Sequence, residues 1–162
     1  MCLYGISGCG KSTVFRLICG LEKPTAGKLT VSSKNIRPVF QGDRLLPFLT
    51  LTENAAMFAN GNDVSELLDR LELGDAAGDY PKNLSGGMAR RAALARALAA
   101  EGDIYLFDEP FNGLDEQNRD KAIELIEERT KGKTALFILH DIDDARRLAC
   151  RIVEMQKLRR IK

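Results

Sequence analysis

Gly5-Ile6-Ser7-Gly8-Cys9-Gly10-Lys11-Ser12 fills every fixed position of the pattern GxxxxGK[ST]. An apolar stub, residues 1–4, precedes it, and a helical pattern over 11–19 follows. Glycines let the backbone curl so that successive N–H groups converge on phosphate oxygens. The following helix adds its positive dipole end. Lys11 would reach the β- and γ-phosphates, and the Ser12 hydroxyl would hold Mg²⁺. Gly5, Ser7, Gly8, Cys9, Gly10, Lys11, Ser12 and Thr13 are the candidate nucleotide contacts.

A phosphate loop does not by itself distinguish kinase from hydrolase. Further along, Ile104-Tyr105-Leu106-Phe107-Asp108-Glu109 reads as an apolar strand ending in two acids. Strand alternation separates the two side chains, so they can serve different partners. Asp108 is the candidate Mg²⁺ ligand, through water. Glu109 is the candidate for orienting the attacking water. A hydrolase needs such a carboxylate, whereas a kinase needs a second substrate pocket.

Around these motifs the chain alternates strands and helices. Helical patterns fall at 11–19, 52–60, 63–71, 85–100, 116–130 and 142–149. Strand patterns fall at 28–32, 37–41, 103–107, 134–139 and 151–155. The run 134–139 is apolar throughout its end, which suits a strand buried on both faces. Alternation of this kind predicts an α/β fold with a mainly parallel sheet. At 162 residues the chain fits one domain. Lys plus Arg is 24 and Asp plus Glu is 23, for a net charge of +1, so no global field draws it to nucleic acid. The four cysteines, Cys2, Cys9, Cys19 and Cys150, match no zinc or CxxC spacing and read as free thiols. No apolar run approaches the roughly 20 residues of a membrane span. The start turns glycine-rich at once, unlike a signal peptide. The basic stretch 157–162 reads as a solvated end.

Leu84-Ser85-Gly86-Gly87-Met88 resembles the LSGGQ signature of ATP-binding cassette (ABC) ATPases. Ser85 precedes Asp108 by 23 residues and opens a helix, as in that family. A hydroxyl, two glycine amides and a helix start make a second anion site. The resemblance implies that Ser85, Gly86 and Gly87 grip the γ-phosphate of ATP held by the opposite subunit of a head-to-tail dimer, that subunit being a second copy or a paralogous ATPase subunit. It also implies a Q-loop role for Gln41 at Mg²⁺ and the attacking water. Asp115, in Asn112-Gly113-Leu114-Asp115, resembles the D-loop aspartate at the dimer contact. His140 resembles the switch histidine at the γ-phosphate. The resemblance runs from Gly5 to about Met155. It implies a P-loop NTPase core, single over 1–162, with a small helical subdomain at about 43–100.

The implied activity is ATP hydrolysis coupled to solute transport. The implied setting is the cytoplasmic face of a membrane, beside separate permease subunits and a solute-binding protein. The 44–50 stretch and Met88 look like importers of the nitrate, sulfonate and taurine type. The segment LLPFLTLTEN reads either as subdomain core or as a rim that accepts a permease helix.

One departure stands out. Only four residues precede Gly5, so the family's antiparallel N-terminal strands and adenine-stacking aromatic are largely missing. Stacking is worth about 1–3 kcal/mol, so ATP affinity is expected to fall by about one to two decades, and stability with it. A weakly active or inactive nucleotide-binding remnant, serving as an interaction or regulatory module, is therefore the second reading. A DNA-acting relative with a coiled-coil insertion is excluded, because only residues 42–83 separate Gln41 from Leu84. A translation-type relative would carry two cassettes. A small kinase is disfavoured by Glu109 and the signature.

Overall fold

The computed structural model describes residues 1–156; the basic stretch 157–162 lies outside the described residues. Five strands form one sheet: β1 (Cys2–Tyr4), β2 (Ile36–Val39), β3 (Ile104–Asp108), β4 (Thr134–Ile138) and β5 (Ile152–Glu154). Their order is β2-β3-β4-β1-β5, and every pairing is parallel. Parallel neighbours need crossovers, which α1 (Lys11–Ile18), α4 (Gly86–Leu98), α5 (Glu116–Arg129) and α6 (Ile142–Arg147) provide. Two shorter helices, α2 (Leu51–Ala56) and α3 (Ser65–Arg70), belong to the segment between β2 and α4.

Side-chain alternation along β3 divides the core. Ile104 and Leu106 join Phe15 of α1, Leu3, Leu136 and Ile138 on one face. Tyr105 and Phe107 join Phe137 and the α2, α4 and α5 side chains on the other. Phe107 stacks on Phe137 at 4.8 Å between centroids. The four-residue stub before the loop is a real strand, hydrogen-bonded on both sides to β4 and β5.

The expected strand at 28–32 does not form. Its alternation is genuine, but a strand needs a neighbour, and none of the five sheet strands pairs with it. Lys28, Leu29 and Thr30 are exposed instead.

The segment LLPFLTLTEN divides in two. Leu51 and Ala55 enter the core, while Phe48 stays 70% exposed. Thr50 and Glu53 form a reciprocal cap at the start of α2. The hinge of the segment is Asn54, fully buried. Its amide accepts from Leu46 N (2.8 Å) and donates to the carbonyls of Leu46, Leu49 and Thr50 at 3.0–3.1 Å. Asn54→Ala strands those backbone groups, at about 1–3 kcal/mol for each one left without water. A loss of about 3 kcal/mol in denaturant unfolding is expected. A loss below about 1 kcal/mol would contradict this role.

Candidate functional site

In a parallel sheet the carboxyl ends of all strands share one edge, and ligands bind there. The loop after β1, the acids ending β3 and the histidine after β4 meet at that edge. The loop needs glycine at Gly5, Gly8 and Gly10, whose φ values are 156°, 75° and 107°. At Gly5 a Cβ would also collide with the Met155 carbonyl oxygen. Lys11 is only 5% exposed and curls back over its own loop. Its Nζ donates to Gly5 O at 2.6 Å and Ile6 O at 3.1 Å. Cys9 is buried behind the loop, its Sγ 3.8 Å from that Nζ.

The loop walls a cavity of about 270 Å³. Ser7, Gly8, Gly10, Lys11, Ser12 and Thr13 form one side, and Gln41, Glu109 and His140 the other. Glu109 is the centre of a triad. Its Oε1 lies 2.6 Å from His140 Nε2, and its Oε2 accepts from Gln41 Nε2 at 3.4 Å. The Glu109 backbone is left-handed, φ 52°, an unusual conformation for a residue with a Cβ. Its N–H is nevertheless bonded to Ile138 O at 3.0 Å. Sheet geometry thus holds a strained residue in place, a frequent feature of functional sites.

Asp108 is buried. A second cavity of about 190 Å³ brings it together with Ser12 and Gln41. Burial first, then the neighbouring Glu109, pushes the Asp108 carboxyl above its ordinary range; the Ser12 hydroxyl and Arg90 pull it back. Its Oδ1 is buried without a hydrogen-bond partner. An orphaned carboxylate oxygen beside a hydroxyl and an amide fits a hard divalent cation, so Ser12, Gln41 and Asp108 suit Mg²⁺. Because the folded state disfavours the ionised acid, Asp108 costs stability once pH passes its ordinary value. Asp108→Asn should therefore raise the melting temperature near pH 7 without nucleotide, by about 2–4 °C for each kcal/mol relieved. The gain should widen from pH 4 to 7. A gain that shrinks as pH rises would contradict the sign.

The Ser85 corner stands apart. Ser85 caps α4, its Oγ accepting from Met88 N at 3.2 Å. Ser85 and Gly86 are exposed, and neither lines the loop cavity. Gly87 packs on Gly113, where a Cβ would sit 3.2 Å from the carbonyl oxygen. Asp115 is exposed and caps α5, accepting from Asn118 N and Nδ2, both at 2.8 Å. These two bonds hold its carboxyl below the ordinary range.

Sequence reasoning missed the arginines of α4. Arg90 donates to Phe40 O at 2.8 Å and to Gln41 O. Arg91 donates to Leu71 O at 2.6 Å and Asn118 Oδ1 at 2.7 Å. Arg96 donates to Arg44 O at 2.8 Å and Asp43 O at 3.2 Å. Their only signal was charge on an otherwise alanine-rich helix.

The family model described as ABC transporter matches residues 1–112. The chain belongs to the ABC transporter family. It is 40% identical over 163 residues to the aliphatic sulfonates import ATP-binding protein SsuB of Albidiferax ferrireducens, covering 93% of this chain and 59% of that one. It is 39% identical over 175 residues to a sulfate/thiosulfate import ATP-binding protein of Chromobacterium violaceum, covering 96% of this chain and 48% of that one. The cassette thus spans about half to three-fifths of these two relatives. A dimeric bacterial ABC transporter cassette superposes with a TM-score of 0.84 at 32% identity, over 95% of this chain and 79% of the other. A related structure holds ADP and Pi in a post-hydrolysis dimer, with a TM-score of 0.82 at 31% identity. The α/β fold with its parallel sheet is that of these cassettes, on a shorter chain.

Proposed function

We propose that the cassette binds and hydrolyses ATP as a head-to-tail dimer that drives import of a small oxyanion such as a sulfonate or sulfate. One observation carries this reading. Glu109 is held by His140 and Gln41 at the mouth of the lysine-bearing cavity, while the Ser85 corner is exposed and outside it. A site with its catalytic half complete and its second anion corner facing solvent suits completion by another copy.

In this reading Lys11 leaves its loop carbonyls and turns to the β- and γ-phosphates. Ser12, Gln41 and Asp108 would hold Mg²⁺, and the chemistry it would supply there is positive charge beside the phosphate oxygens. Glu109 takes the proton of the attacking water through the carboxylate that Gln41 and His140 orient. His140, exposed beside it, keeps water and γ-phosphate in line. Ser85 and the Gly87 N–H of the other copy meet the charge that grows on the γ-phosphoryl oxygens. Asp115 stands at the mutual contact.

Among the described residues, no helix is long and apolar enough to cross a membrane. The proposed dimer works beside separate permease subunits. An apolar groove of about 340 Å³ supports a place for them. Phe40, Leu46, Met57 and Phe58 line it, Arg37, Arg44 and Arg96 rim it, and Phe58 is 50% exposed. This suits docking on the cytoplasmic side, with a solute-binding protein supplying the cargo.

Phosphate release per chain, measured across a dilution series, tests the reading. Specific activity should rise with chain concentration until dimers saturate. Activity per chain independent of concentration down to the nanomolar range would overturn the composite site.

A further inference from the structure

The signature helix does more than present Ser85. Arg90 lies in its second turn and is 6% exposed. Its guanidinium forks across two consecutive carbonyls, Phe40 O at 2.8 Å and Gln41 O. Its Nε lies 3.3 Å from Asp43 Oδ1, forming an ion pair. These partners are about fifty positions away in sequence, so the link is purely tertiary. Arg96, further along the same helix, holds the next carbonyls, Asp43 O and Arg44 O. The chain from Phe40 to Arg44 contains no helix or strand of its own. Its path is set by these two arginines and by Arg44 resting 4.2 Å from the Phe40 ring centroid.

Gln41 is gripped through its backbone on one side, and its side chain donates to Glu109 on the other. A buried charged fork is rigid in a way a lysine is not, because its donors are coplanar and fixed. Losing it leaves two carbonyls and one carboxylate without their cation. We propose that Arg90 is a positioning residue that locks Gln41 to the signature helix. The grip on Glu109 in one copy's site then moves with the Ser85 corner that serves the other copy's site. This rests on the reading of Gln41, Glu109 and Ser85 given above.

The test uses the full chain with Arg90→Met, Arg90→Lys, Gln41→Ala and the Arg90→Met/Gln41→Ala pair. Arg90→Met should lower kcat about tenfold or more, with KM for ATP within about threefold, as expected for loss of a charge-assisted bond. The double variant should be no slower than Gln41→Ala alone, because both act through one amide. Arg90→Lys keeps the charge toward Asp43 but cannot fork, so it should recover only a minor part of the rate. Without nucleotide, the backbone amide resonances of 41–44 should shift and broaden in Arg90→Met and Arg90→Lys while those of α4 stay in place. A kcat within twofold of the parent, multiplicative losses in the double variant, full rescue by lysine, or unchanged resonances at 41–44 would each overturn the proposal. If the parent shows no turnover at all, that failure belongs to the functional reading, and the resonances of 41–44 alone decide Arg90.

Discussion

Glu109→Gln should abolish turnover while leaving nucleotide binding intact. The substitution changes no volume and keeps a side-chain oxygen and an N–H where two oxygens stood. His140 Nε2 at 2.6 Å and Gln41 Nε2 at 3.4 Å still have a polar neighbour. What disappears is the carboxylate that lines the loop cavity from the end of β3, since Asp108 lines the neighbouring cavity instead. Proton abstraction by a positioned base contributes about 10²–10⁴-fold, so phosphate release should fall by at least a hundredfold. ATP binding, which the proposed function assigns to Lys11 and the loop, should stay within a few-fold. With hydrolysis blocked and both phosphate grips present, the variant should accumulate as an ATP-bound dimer in size-exclusion runs. A variant that turns over at the parent rate would remove Glu109 from the mechanism.

Ser85→Asp should be nearly as severe, for a different physical reason. Ser85 has two jobs: capping α4 through Met88 N, and offering a hydroxyl to solvent. Aspartate caps a helix start as well as serine does. Its charge also suits the positive end of the helix dipole. Thermal stability should therefore hold within about 1 kcal/mol. In the proposed composite site, however, a fixed negative charge would meet the γ-phosphate where a neutral donor is needed, so turnover and ATP-driven dimerisation should fall by at least a hundredfold. Binding of ATP to a single chain should persist, because Ser85 does not line the loop cavity. If Ser85→Asp weakened monomer binding as strongly as dimerisation, the corner would belong to its own chain's site. Ser85→Ala separates the two jobs from the other direction, since it loses the cap, at about 1 kcal/mol, without adding a charge.

Much of the site could be read before the fold was known, because its chemistry is local. Gly5, Gly8 and Gly10 take the positive φ values that a phosphate loop needs, and only glycine does so freely. Ser85 ahead of two glycines reads as a helix start, and it is one. Asp108 and Glu109 end an apolar strand, and the parallel sheet brings that end to the loop. Failures arise where the deciding partner is remote. Residues 28–32 alternate like a strand but have no neighbour to pair with. Arg90 and Arg96 look like solvated charges on an alanine-rich helix, yet their partners sit about fifty positions upstream. Asn54 looks like an ordinary helix residue until its four bonds to the 46–50 backbone are seen. The left-handed backbone of Glu109 has no signature in its own residue type.

If one triphosphate is held by two chains, two differently damaged chains should rebuild one intact site when mixed. Lys11→Ala spoils the loop and Ser85→Asp spoils the corner, each placed in a Glu109→Gln background so that ATP is kept. Alone, neither chain should dimerise with ATP, because every composite site then has one damaged half. Mixed in equal amounts, they should form a heterodimer that retains about one ATP, bound between the Ser85→Asp chain's Lys11 and the Lys11→Ala chain's Ser85. No heterodimer on mixing, or nucleotide held equally well by the Ser85→Asp chain as a monomer and in the mixture, would contradict the account.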